Sequence, residues 1–183
     1  MAYKSKVIVN PSVGLRIRFL KTANDTKGKL LEMEAAYSPG SKEPPQHYHP
    51  LQREEFTIIK GEMTVRMDNQ LRILKQGDVL HVPSNKSHSM WNNSQLESVV
   101  NWKVMPALTT EYMLETFAGL AVDGKTDQRG TPEFLQIALI ANKYAKVFRL
   151  SRPSYMIQRI IFSILTPVAY IAGYKPVYKK YFS

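Results

Sequence analysis

Up to Met105 the chain is a succession of short apolar or alternating runs separated by turn residues: VGLRIRFL, KLLEMEAAY, EFTIIKGEMTVRM, QLRILKQGDVLHVP and LESVVNWKVM. Residues two apart share one face of a strand, so an alternating run has one apolar and one polar side. Many such strands in close succession, with no helices between them, bury their apolar sides against one another as a sandwich or barrel. Asp68-Asn69 between MTVRM and QLRIL fits a tight hairpin. Gly61 and Gly77 punctuate neighbouring strands, and Pro44, Pro45 and Pro83 stand where a central strand would not hold them. By parity, Leu31, Met33, Ala35 and Tyr37 face the interior while Glu32 and Glu34 face solvent. Met63, Val65 and Met67, and Val100, Trp102 and Val104, face inward in the same way. Core packing is the commoner role for such residues. If the interior holds a ligand, Met33, Tyr37, Met63 and Trp102 are the candidates to line its largely apolar pocket.

After Pro106 the pattern becomes helical, which divides the chain into a β domain over 1–106 and a helical extension over 107–183. Thr109 or Thr110 can cap a helix running to about Leu120. Thr131-Pro132-Glu133 and Thr166-Pro167 read as helix starts, and Gly173 followed by Pro176 as a stop. Between Ser154 and Leu165, Ile157, Ile160, Ile161 and Ile164 form one stripe with Gln158 and Arg159 off it.

The extension is also where the charge lies. Of the net +10, residues 1–133 contribute +2, from 17 Lys/Arg and 15 Asp/Glu, whereas residues 134–183 carry 8 Lys/Arg and no acid. These basic residues are spread out and accompany no recognised binding motif, so nucleic acid is not an expected partner. The longest nearly uncharged stretch, Ile160 to Gly173, is shorter than the roughly 20 residues a membrane span requires. Packing of the helices on the barrel or on a partner subunit is the leading expectation. Peripheral contact with an anionic membrane surface is the alternative. The chain has no cysteine, which excludes disulfides and thiolate chemistry. Its first residues, MAYKSKVIVN, lack the apolar core of a signal peptide, so a cytoplasmic location is expected.

The chemistry concentrates in HYHPLQREEFTIIKG, residues 47 to 61, and GDVLHVPSNKSHSMWN, residues 77 to 92. In an extended chain His47 and His49 point to one side, and two imidazoles with a carboxylate are typical ligands of a first-row transition metal. The two segments resemble the two conserved motifs of the cupin superfamily. His47, His49, Glu54 and Gly61 fit the first motif; Gly77, Pro83, His88 and Asn92 fit the second. Gly40 stands one residue further from His47 than the family's glycine does. Asn85 replaces a glycine, and is expected to adopt positive φ.

The resemblance implies a mainly β fold, a jelly-roll barrel (double-stranded β-helix) with the helical extension appended. It also implies one divalent transition metal (Fe, Mn, Ni, Co or Zn) held by His47, His49, Glu54 and His88. Glu55 faces the opposite way on its strand and His81 reads as a packed or surface residue, so neither is placed in the site. There is no glycine-rich phosphate loop and no G-x-S-x-G elbow, and no residue is singled out as catalytic. The function implied is a metal-dependent enzyme, oxygenase-type, acting on a small organic molecule; the alternative is a non-catalytic module that binds a small ligand. A homodimer is expected, with the strand around Lys6 to Val9 as its pairing or swapped element.

Overall fold

Every strand pairing is antiparallel, and the strands divide into two sheets. In the computed structural model, which describes residues 2–182, ten strands precede the first long helix. They are β1 (Val7–Asn10), β2 (Leu15–Lys21), β3 (Leu31–Tyr37), β4 (His47–Tyr48), β5 (Arg53–Lys60), β6 (Glu62–Met67), β7 (Gln70–Lys75), β8 (Val79–Val82), β9 (His88–Trp91) and β10 (Ser98–Met105). Then follow α1 (Thr110–Val122), α2 (Phe134–Lys143), β11 (Arg149–Leu150) and α3 (Tyr155–Ile171). One sheet has the order β1-β2-β3-β10-β5-β8, and the other β11-β4-β9-β6-β7. The fold is mainly β, a jelly-roll barrel with C-terminal helices.

The period-2 reading holds along these strands. Leu31, Met33, Ala35 and Tyr37 are buried, as are Met63, Val65, Val100 and Val104, and they join Phe19, Ile58 and Val82 in one core between the sheets. Full burial of a side chain of this size stabilises by about 1.5–3 kcal/mol. On the outer side, Glu32 and Glu34 pair with Lys21 and Arg18. Asp68 and Asn69 both have positive φ, the conformation whose twist matches a two-residue hairpin between β6 and β7. Asn85 has φ 63°, as its glycine-replacing position requires. The strand at Lys6 to Val9 pairs with β2 of its own chain, as the terminal strand of its sheet.

The extension begins where the sequence changes period, but it is not merely appended. Met113, Leu120, Ile137, Ile140, Tyr144 and Val147 form a second core. The buried Lys6 ammonium donates to Glu115 Oε1 at 2.8 Å, tying α1 to the N-terminal strand. Tyr181 lies flat on α1 at Gly119, where a Cβ would come within 2.2 Å of the ring. Beyond α2 the chain returns to the barrel as β11, with Arg149 opposite Tyr48 and Leu150 opposite His47.

Two helix starts differ from expectation. Thr131-Pro132-Glu133 leads into α2 later than expected: Glu133 rather than Thr131 is the N-cap, and the helix begins at Phe134. The Asp127 carboxylate accepts the Arg129 and Thr131 amides, and Thr126 bridges to Pro132, so this stretch closes a turn first. Thr166-Pro167 does not start a new helix; α3 runs through it. Phe162 and Ala169 are buried on either side of the proline. Ser163, whose carbonyl loses its i+4 donor to Pro167, is exposed to water. Gly173 does end α3: at φ 85° it lets the Tyr174 amide reach back to Ala169 O.

Candidate metal centre

Short strand β4 delivers His47, and His49 follows directly; β5 brings Glu54 and β9 brings His88. His47 and His88 are direct neighbours across the β4–β9 pair. The nitrogen ligands of His47, His49 and His88 lie within 4.8 Å of one another. Glu54 Oε2 sits 3.1 Å from His49 Nε2 and 3.0 Å from His88 Nε2, with Glu54, His49 and His88 all buried. The three histidine nitrogens therefore form one cluster, with the Glu54 carboxylate against two of them.

The imidazoles are oriented by main-chain carbonyls. His47 Nδ1 lies 3.1 Å from Pro45 O, His88 Nδ1 lies 3.1 Å from Lys86 O, and His49 Nδ1 lies 2.6 Å from Val147 O. A carbonyl only accepts, so each Nδ1 carries the proton and each Nε2 presents its lone pair inward. This is the arrangement by which proteins fix the tautomer of metal-binding histidines. His49 Nε2 and Glu54 Oε2 are buried, and neither has a hydrogen-bond partner among the described residues. Two orphaned acceptors aimed at one point, beside two further imidazoles, fit a cation. Three nitrogens and one carboxylate oxygen suit Mn, Fe, Co, Ni or Zn, and affinity alone does not select among them.

The protonation balance reflects the same crowding. Burial, with His88 and His49 close by, holds His47 well below the usual imidazole range. Burial also opposes charge on His49, but the nearby Glu54 carboxylate and the Val147 carbonyl outweigh it and raise its pKa. Burial would raise Glu54, yet contact with His49 and His88 overrides it and holds the carboxyl well below its ordinary value. The hydroxyl of Tyr37 is pushed upward by burial and by the charge of Glu54, so it remains a proton donor.

A cavity of about 180 Å³ opens beside the cluster. Tyr37 and Trp102 line it, as expected; Met33 and Met63 are fully buried in the barrel core and are not on its lining. The Trp102 indole is stacked on Phe56 and donates from Nε1 to Glu54 Oε1 at 3.0 Å, leaving the other carboxylate oxygen for the cluster. His81 is exposed beside Glu55, away from the site.

What the sequence did not disclose is the part the extension plays. Met113 and Phe117 of α1, Ile137 of α2, and Phe148 and Leu150 at β11 close the cavity. Phe148 packs on His47 with ring centroids 4.8 Å apart. The Val147 carbonyl that orients His49 is 98 residues away along the chain. The short alternating run VFRL was the one local sign that this segment returns to a sheet.

A Trp102→Phe variant tests the outer contacts. Phenylalanine retains the stacking on Phe56 but removes the donor to Glu54 Oε1. Metal affinity is expected to fall about tenfold or more, the range seen when such partners are lost. Competition with a chelator measures it, and an affinity equal to the wild type would refute the role given to the indole.

A two-sheet antiparallel barrel with three histidines and a glutamate clustered inside it defines a jelly roll with a candidate metal site. Residues 33–102, from β3 into β10, match the family model for the cupin domain. Over 83 residues, 45% of this chain, it is 31% identical to quercetin 2,3-dioxygenase of Bacillus subtilis. That match spans only 24% of the dioxygenase. It is 26% identical over 156 residues to the probable oxidoreductase VirH of Hypocrea virens, covering 78% of this chain and 69% of that one. Among solved structures, a predicted oxalate decarboxylase from Thermotoga maritima shares the fold at a TM-score of 0.50 and 23% identity, covering 58% of this chain and 99% of that one. An RmlC-like cupin from Shewanella frigidimarina aligns at 0.50 and 18% identity, covering 61% and 92%.

Proposed function

We propose that this protein is a metal-dependent cupin enzyme that carries out an oxygenase-type reaction on a small, largely apolar organic molecule. One observation carries the reading: three oriented imidazoles and the Glu54 carboxylate converge beside an apolar cavity. A divalent transition metal bound there supplies a Lewis-acid centre and, for a redox-active ion, an electron-transfer centre. The similarity to proteins named as a dioxygenase and a probable oxidoreductase supports the same class of chemistry.

The protein's own residues bind and orient the substrate. A cavity of about 150 Å³ suffices for benzene, so about 180 Å³ suits a molecule of one ring with small substituents. Phe56, Phe117, Phe148 and Leu150 supply flat apolar surface and exclude water. The Tyr37 hydroxyl, kept protonated by burial and by Glu54, offers a hydrogen bond to a substrate oxygen. Lys42 and Arg129 are on the lining, which includes no carboxylate among the described residues, so an acidic substituent on the substrate is favoured.

The test loads the protein with Fe(II) or Mn(II) and follows oxygen uptake with aromatic acids, their neutral amides and cationic analogues. Oxygen consumed in proportion to substrate lost, with acids preferred, is the expected result. Tight ligand binding without turnover on any ion would replace this reading with that of a non-catalytic binding module.

A further inference from the structure

The isoleucine stripe is expected to pack on the barrel or on a partner subunit; within this chain α3 turns it outward. Gln158, Phe162 and Ala169 form its buried side. Gln158 reaches Leu150 O at 2.8 Å and Pro153 O at 2.7 Å, so the polar residue is the one used to fasten the helix. The opposite side carries Met156, Ile160, Ile164 and Ile171 at 76%, 60%, 66% and 88% exposure, with Ile157 and Val168 half exposed beside them. At about 100° per residue these six fall within about 120° of arc, a continuous apolar stripe facing water. Exposed stripes of this extent mark interaction surfaces.

The surroundings of the stripe indicate its partner. No acidic residue occurs from 134 to 183, against eight Lys/Arg. Arg152 precedes the helix, Arg159 lies within it beside the stripe, and Lys175 and Lys179 follow it, all exposed. Lys180 is paired with Asp123 and is not counted on. A second copy of the chain meeting α3 against α3 would bring two such basic segments together with no acid in either to offset them. An anionic lipid surface meets both features at once, taking apolar side chains below its headgroups and cations among them. At 17 residues α3 is about 25 Å long, short of the roughly 30 Å hydrocarbon core, and no helix among the described residues is long and apolar enough to cross a membrane. The helix must therefore lie along the surface rather than through it.

We infer that α3 docks this protein in the plane of an anionic membrane through Met156, Ile160, Ile164 and Ile171, with the flanking arginines and lysines engaging lipid headgroups. Because α3 follows directly on β11, docking would hold the cavity wall near the lipid, the source of apolar small molecules.

The test uses full-length protein and vesicles of phosphatidylcholine with and without phosphatidylserine. Co-sedimentation with the anionic vesicles at low salt, weakened by added salt and absent with pure phosphatidylcholine, is expected. An Ile160→Glu/Ile164→Glu variant, altered only at exposed positions, should melt and retain metal like the wild type while binding at least about tenfold more weakly. A Lys175→Gln/Lys179→Gln variant should weaken binding while leaving the stripe intact. The proposal is overturned if the wild type remains in the supernatant at low salt, or if the Ile→Glu variant sediments equally. It is also overturned if light scattering shows a wild-type dimer that the Ile→Glu variant converts to monomer, which would make the stripe a subunit interface.

Discussion

A His47→Ala/His49→Ala double variant is expected to purify essentially free of metal, and the wild type to purify with one ion per chain. The two residues supply two of three inward-facing Nε2 atoms, and His49 is also one of the two imidazoles that face Glu54 Oε2. Losing only an outer contact weakens a metal site about 10–100-fold; losing two direct ligands should weaken it on the order of 100-fold or more. His81→Ala is the control. That histidine is 72% exposed and faces Glu55 on the outside of the sheet, so its removal should leave metal content untouched. Elemental analysis of the three proteins decides, and equal metal in the double variant and the wild type would sink the assignment. The barrel should persist in both variants, because its core lies between the sheets rather than at the cluster.

The pairing of His47 with His49 was legible because strand geometry is a local property, whereas Glu54 and His88 entered through the resemblance to the cupin motifs. His47 and His49 share a side of an extended segment, and turn glycines and prolines fix where each motif strand begins and ends. The inward parity of Leu31 to Tyr37 and of Met63 and Val65 was legible for the same reason. What periodicity does not encode is which inward residues reach the open end of the barrel. Met33 and Met63 have the same parity as Tyr37 and Trp102, yet they lie in the closed core while the latter two line the cavity. Contacts across long separations were not legible at all. Val147 orients His49 and Phe148 covers His47 because β11 returns beside β4, a pairing set by the tertiary packing of α1 and α2. For α3, a stripe of isoleucines implied a buried face, but an apolar residue need not be inside, and the buried Gln158 was the better guide. A glutamine with two carbonyl acceptors in reach costs little to bury, and its bonds decide which way the helix turns.

Gly61, which closes the first motif, separates sequence resemblance from physical necessity. It links β5 to β6 at φ 76°, where a side chain costs about 1–2 kcal/mol. An alanine Cβ would also lie 2.7 Å from Ser98 Oγ and 2.9 Å from Glu97 O, and the second of these is main chain that has little room to retreat. The Ser98 hydroxyl is itself engaged, donating to Glu62 O at 2.6 Å and accepting from the Glu62 amide at 3.2 Å. Overpacking of this kind adds about 1–3 kcal/mol. Gly61→Ala should therefore lose roughly 2–5 kcal/mol, a large share of the roughly 5–15 kcal/mol typical of a domain. Asn85 makes the contrast. It too has positive φ, yet its side chain extends into an exposed loop toward Pro50 O, so Asn85→Gly should change stability by no more than about 1 kcal/mol. Urea unfolding midpoints measure both. A Gly61→Ala/Ser98→Gly variant should recover only part of the loss, since the strained φ and the Glu97 carbonyl remain. Full recovery would place the whole cost on the Ser98 hydroxyl and refute the backbone argument. Folded Gly61→Ala protein should still bind its metal, because Glu54 and Trp102 lie toward the opposite ends of β5 and β10 from the turn.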